Sequence, residues 1–344
     1  MTSAGRWLKR IPLLAALAAL LFLTGGCAAF GGSAGPEERV NVLEVDSPLR
    51  EPVWVPEKKT LLALGEEEPR VALVDPETTE GSSVTHSREL DGLGENAALN
   101  VRDPDHAYVP LPGRDSISVV STEDLRQLDS LDAGGTPARV TVDAASEILF
   151  AFSEDGTTVR GIDLEGSQEI PPVEVGRGEQ TLLEAPEKGL YPAFWVAGPQ
   201  GVSHYAGEPP ERKVGLPLEV GDIAVDPVSS QRAYVAEAGT GRVTAVEGDA
   251  EGLMEGDLEV IVQRSLGERV EHIAVGELFV YAVTQDRLVV MRRHDLQTHE
   301  TVEYREPLER ESLRSAGVSG LTVGKDSVYL TLSAEPYVLS VEKP

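Results

Sequence analysis

Cysteine is nearly absent from this chain: Cys27 is the single thiol, so a disulfide framework is excluded. Basic residues are scarce as well, 30 Lys and Arg against 58 Asp and Glu. A surface of that balance repels nucleic acid and anionic lipid headgroups, so no nucleic-acid partner is expected. The longest apolar run, Ile11 to Leu23, falls short of the roughly 20 residues that cross a bilayer as a helix. A G-x-S-x-G elbow is missing, and no glycine-rich phosphate loop follows a strand-like segment, which removes two common signs of hydrolases and nucleotide-binding enzymes. The six histidines, His86, His106, His204, His272, His294 and His299, form no H-x-H or HExxH pair, so neither a zinc site nor any other cofactor is expected.

What is present begins at the N-terminus. A basic start (Arg6, Lys9, Arg10), the apolar run to Leu23 and the small residues before Cys27 have the three parts of an export signal. Leu23-Thr24-Gly25-Gly26-Cys27 resembles a bacterial lipoprotein signal, with Leu23 one place upstream of its usual position and Thr24 in its stead. The resemblance implies acylation of Cys27 and residence at the cell membrane on its extracytoplasmic side, where two acyl chains suffice for stable anchoring. Residues 28–39, rich in Gly, Ala and Ser, read as a flexible tether. The chain thus divides into a signal (1–26), a lipidated cysteine with its linker (27–39) and a body (40–344). Three basic residues and no acids precede Cys27, so the formal net charge of −28 becomes −31 from Cys27 onward.

The body repeats itself. A strand-like series begins near Thr60 (TLLALGE), His106 (HAYVPLP), Glu147 (EILFAFS), Leu190 (LYPAFWVAG), Arg232 (RAYVAEA), Leu278 (LFVYAVT) and Ser327 (SVYLTLS), and a second series trails each by about ten residues. Between the two lie short connections such as Pro112-Gly113-Arg114-Asp115, Glu154-Asp155-Gly156-Thr157 and Gly239-Thr240-Gly241, whose residues suit hairpin turns. A third strand precedes most hairpins, as in Arg139 to Asp143, Asp222 to Asp226 and Gly320 to Val323, and a fourth follows, as in Ile261 to Gly267. Four strands at a period of about 43 residues make a propeller blade, and the repeats predict an all-β, seven-bladed β-propeller. The last repeat stops after three strands, while Val40 to Val45 and Pro52 to Val55 stand spare before the first hairpin. Ring closure follows if the first spare run completes the last blade and the second opens the first, leaving no free sheet edge and favouring a monomer.

Hairpins such as RVALVDPETTEG and RAYVAEAGTGRVTAVEGD resemble the YVTN-type (WD40-like) repeats of bacterial surface proteins, over most of residues 60–344 and least in 191–215. Members of that class include binding proteins, surface-layer proteins, lactonases and metal chaperones, so the resemblance implies a shape more than a chemistry. The expected function is a membrane-anchored binding or scaffold module for a protein or envelope ligand, not an enzyme. The alternative, a lactonase-like hydrolase or a metal-binding transporter accessory working at the channel mouth, stays open. Taking each hairpin as the inner strand pair of its blade puts its turn at that mouth. Glu66, Glu67, Glu68, Asp115, Glu154, Asp155, Asp286 and Glu335 then form the candidate binding rim, with carboxylate oxygens suited to a hard cation.

Overall fold

A computed structural model of the chain describes residues 39–77, 83–166, 170–176, 182–248, 258–306, 308 and 310–344. The export signal, Cys27 and the tether up to residue 38 lie outside the described residues. From residue 40 onward seven four-stranded antiparallel sheets follow one another. Within each, strands a to d are hydrogen-bonded side by side, and neighbouring sheets meet chiefly through their a strands. The a strands therefore stand at the axis of a seven-bladed propeller. Blade 1 runs Leu49–Val55, Thr60–Gly65, Val71–Asp75 and Ser83–His86; blade 7 runs Val318–Val323, Ser327–Leu332 and Tyr337–Glu342, with Val40–Glu44 as its strand d. Val40 pairs with Val341 and Glu44 with Tyr337, so the ring closes as the two spare runs predict.

Strand b is apolar at nearly every position because both of its faces are buried. Side chains alternate across a strand. In blade 1, Leu61 and Ala63 pack towards blade 7, while Leu62 and Leu64 pack towards blade 2. The same alternation produces seven separate hydrophobic clusters, one in each interface between adjacent blades. At about 1.5–3 kcal/mol for each fully buried Leu, Val or Phe, these interfaces supply most of the packing energy. Trp195, Tyr234, Tyr304, Phe150, Phe152 and Phe194 are the largest fully buried side chains within them.

The a strands are less regular. Those of blades 3, 5, 6 and 7 slip register by one residue, at Pro137/Arg139, Val220/Asp222, Val270/His272 and Val318/Gly320; blade 1 is irregular between Arg50 and Val53. A bulge bends the strand and re-aims the side chain beside it. In blade 1 the irregularity holds Glu51 at a φ of 48°, a left-handed conformation that is costly for a residue with a Cβ.

Candidate functional site

The hairpins singled out in the sequence join strands b and c, the second and third from the axis. Their turns consequently lie outside the innermost ring, because strand a occupies the position assigned to the hairpin. Several of the acidic side chains hold turns in place. Glu66 Oε2 accepts the Ala334 N–H at 2.6 Å, linking blade 1 to blade 7. Asp115, itself left-handed at φ 51°, accepts the Thr136 hydroxyl at 3.0 Å. Asp155 accepts from Thr157 Oγ1, Ser153 Oγ and Thr157 N–H at 2.6, 2.7 and 3.0 Å, bonds that hold its carboxyl below the usual range. Glu68 pairs with Arg70 at 3.1 Å, and Asp286 stands 4.0 Å from Arg305. Glu67 is exposed, Glu154 donates its backbone N–H to the Thr136 carbonyl, and Glu335 donates its own to Leu332. Among the described residues, no three His, Cys, Asp or Glu side chains converge within metal-ligating reach.

A second arrangement, unmarked in the sequence reading, lies in the channel. Each a strand starts at the end of the b–c turns, as the pairing of Leu49 with Gly65 shows, and finishes at its a–b turn, where Val55 pairs with Thr60. A cavity of about 390 Å³ fills the half of the channel nearer the a–b turns. Its walls include Trp54, Val142, Val225, Val275 and Val323, and the carboxyls of Glu51 and Glu184 reach its polar end. Trp54 is held against Tyr329, ring centroids 5.4 Å apart, and donates its backbone N–H to Thr322 Oγ1 at 3.2 Å.

Around the polar end, side chains next to the bulges bond from blade to blade. Arg50 donates to the Glu95 and Gly94 carbonyls at 2.6 and 2.8 Å. Asn96 exchanges two bonds with the Val140 backbone, and Thr141 Oγ1 accepts the Ala185 N–H at 3.0 Å. Asp222 accepts the Ile273 N–H at 2.9 Å and lies 3.5 Å from His272 Nδ1. His272 Nε2 donates to the Val318 carbonyl at 3.0 Å, and Ser319 donates to Leu49 at 2.8 Å. Burial opposes charge on His272, but the Asp222 carboxylate and the Val318 carbonyl outweigh it and push the imidazole up to about 9. Arg139 is bound to Glu95 through Nε at 2.6 Å. Among the described residues, Glu51 and Glu184 have no such bond. Burial, reinforced by the Asp222 and Glu51 charges against Arg139, pushes the Glu184 carboxyl up to about 8. Glu51 is likewise raised, by burial against the pull of Arg139.

The a–b end carries exposed apolar side chains: Val101 in blade 2, Leu190 and Tyr191 in blade 4, Val228 in blade 5 and Leu278 in blade 6. Leu190 is 94% and Leu278 71% exposed, values at which a leucine gains little from its own fold. Lys58, Lys59, Lys188 and Lys325 stand in the same set of turns. The two ends of the molecule therefore differ, with acidic hairpin turns at one and apolar, lysine-bearing turns around a cavity at the other.

No protein-family model and no curated protein sequence matches the chain. Among solved structures it is similar to a chain of a structure titled "Crystal Structure of Mitotic Checkpoint Complex", at a TM-score of 0.68 and 12% identity, covering 94% of this chain and 99% of that one. At that identity the likeness shows the WD40-like propeller fold alone. Since 1391 solved chains match, the fold by itself selects no single activity.

Proposed function

We propose that this chain is an exported lipoprotein, anchored through Cys27 on the extracytoplasmic side of the cell membrane. Its propeller acts there as a monomeric binding or scaffold module for a protein or envelope ligand, with the a–b end of the channel as the contact surface. The observation that carries the reading is the set of exposed Val101, Leu190, Tyr191, Val228 and Leu278 side chains in the turns at the cavity's end. Apolar groups exposed on one end of the body, beside a concave pocket of mixed polar and apolar lining, are characteristic of binding surfaces. The YVTN-like repeats and the lipobox-like Leu23-Thr24-Gly25-Gly26-Cys27 support the bacterial-surface setting.

Two measurements test the two halves of the proposal. Palmitate labelling in cells should mark wild type and lose the mark in Cys27→Ser; equal labelling of both overturns the anchor. Crosslinking in native membranes with the full chain should yield a discrete adduct that the double variant Leu190→Ser, Leu278→Ser loses while its melting temperature is kept. An adduct indifferent to that change, but lost when Glu66, Glu67, Glu68 and Asp155 are neutralised, moves the contact to the other end.

A further inference from the structure

Around the polar end of the channel pocket carboxyls outnumber cations, and the excess carboxyl, Glu184, is held protonated. The charged groups that face its polar end are Arg50 and Glu51 from blade 1, Glu95 from blade 2, Arg139 from blade 3, Glu184 from blade 4, Asp222 from blade 5 and His272 from blade 6. Blade 7 contributes Ser319, which is uncharged. Glu187, near the pocket, has Lys188 as its neighbour. Four carboxyls thus meet three cations, and the cations are already engaged: Arg50 on the Glu95 and Gly94 carbonyls, Arg139 on the Glu95 carboxylate, His272 on Asp222 and the Val318 carbonyl. Glu51 and Glu184, at the pocket's end, are left over. Both are partly buried, and a carboxylate drawn from bulk water without a hydrogen-bonded partner is unfavourable, which is why Glu184 keeps its proton. The fold nevertheless places both at the pocket, with Glu51 left-handed, a conformation that tends to persist where a ligand is clamped.

We infer that the cavity between Trp54, Glu51 and Glu184 binds an aliphatic ammonium group, its charged head on the two carboxyls and its methylene stem along the Trp54, Val142, Val225 and Val275 walls. A metal ion suits this geometry poorly, because no three ligating side chains converge among the described residues and a cavity of about 390 Å³ with valine and tryptophan walls exceeds what an ion requires. An alkylammonium fits both parts of the cavity: its stem buries methylenes against the valine and Trp54 walls, and its head supplies the cation that lets Glu184 ionise. Such a head can come from a free amine or from a lysine of a docked protein. Rested on the reading of the a–b end as the binding surface, the inference names the chemistry that surface selects.

The test uses the full chain in detergent and isothermal titration at about pH 7.5, where Glu184 is mostly protonated. Pentylammonium is expected to bind at one site per chain, with pentanol, the same stem without the charge, weaker by roughly tenfold or more. Binding should release protons, read as a dependence of the heat on the buffer's ionisation enthalpy, since a cation beside Glu184 drives its proton off. Glu51→Gln with Glu184→Gln should lose the affinity and the proton release while still melting cooperatively and no lower than wild type, since Glu184 no longer resists ionisation. A second variant, Trp54→Leu, should weaken both alkyl probes and leave the proton release per bound ammonium intact. Pentylammonium and pentanol binding equally, or ammonium binding that survives the double Gln change, overturns the inference. A lysine-containing peptide and its acetylated form distinguish the sources. Displacement of pentylammonium by the unmodified peptide alone assigns a protein lysine, and no displacement by either assigns a free amine. If the ammonium probes fail while the Leu190/Leu278-dependent adduct persists, the binding end stands and its cation chemistry falls.

Discussion

Glu184 and His272 dominate the residue scale because each has a protonation state shifted by the channel. The Glu184 carboxyl lies near 8 in the folded chain against 4.5 ordinarily, so the folded state holds a proton that the unfolded state has released. Stability attributable to this group is highest below about pH 4.5 and is lost as pH rises through about 8. Glu184→Gln should accordingly melt with wild type near pH 4.5 and above it at pH 8.5, as followed by circular dichroism. His272 runs in the same direction for a different reason: its raised value, about 9 against 6.5, gives a stabilisation complete below pH 6.5 and lost through pH 9. Melting curves of His272→Gln should lie below wild type at pH 6 and converge with it at about pH 10, and the imidazole proton resonances should titrate near 9. None of this was legible in the sequence. Glu51, Arg139, Glu184, Asp222 and His272 sit on five different blades, each about 40 or more residues from the next, and each looks locally like one more surface charge in an acidic chain. A faint signal did exist. In PARVTV, VGDIAV, VEHIAV and VSGLTV the third position is Arg139, Asp222, His272 and Gly320, a place where the residue type varies within an otherwise apolar strand.

Among the elements, strand b was the readable one and strand a the opaque one. TLLALG, ILFAFS and FVYAVT stand out because each is packed on both faces against neighbouring blades, and their turns announce themselves through Gly, Asp and Pro. Leu62 is fully buried between blades 1 and 2. Leu62→Ala should therefore cost about 2–5 kcal/mol in denaturant titration, the usual range for a leucine truncated in a packed core. Strand a is bulged and half-polar because it borders the channel, so it was recognised as a strand without being recognised as the inner wall. That one misplacement put the acidic turns at the channel mouth. The structure gives Glu66, Asp115 and Asp155 local bonds instead. Glu66→Gln should leave the fold intact and lower the melting temperature only slightly, because the link to Ala334 survives as a neutral hydrogen bond of about 0.5–1.5 kcal/mol.

For the whole molecule, ring closure by Val40–Glu44 against Tyr337–Glu342 joins residues from the two ends of the body. Deleting residues 40–44 exposes the outer edge of strand c in blade 7, and such an edge is a template for pairing with another chain. Light scattering should report a monomer for the intact chain and larger species for the deletion. The seven-bladed count came out of the sequence because the period and the unequal first and last repeats are both properties of one linear string. The end of the ring at which we propose a ligand is a property of the closed object, read from side chains on separate turns: Val101, Leu190, Tyr191, Val228 and Leu278.

A photo-crosslinking side chain placed in the full chain in native membranes tests that proposal most directly, at Leu190 on the a–b end in one variant and at Glu67 on the b–c end in another. The account predicts a discrete, light-dependent adduct from the Leu190 position and none from Glu67. An adduct from Glu67 alone would contradict it.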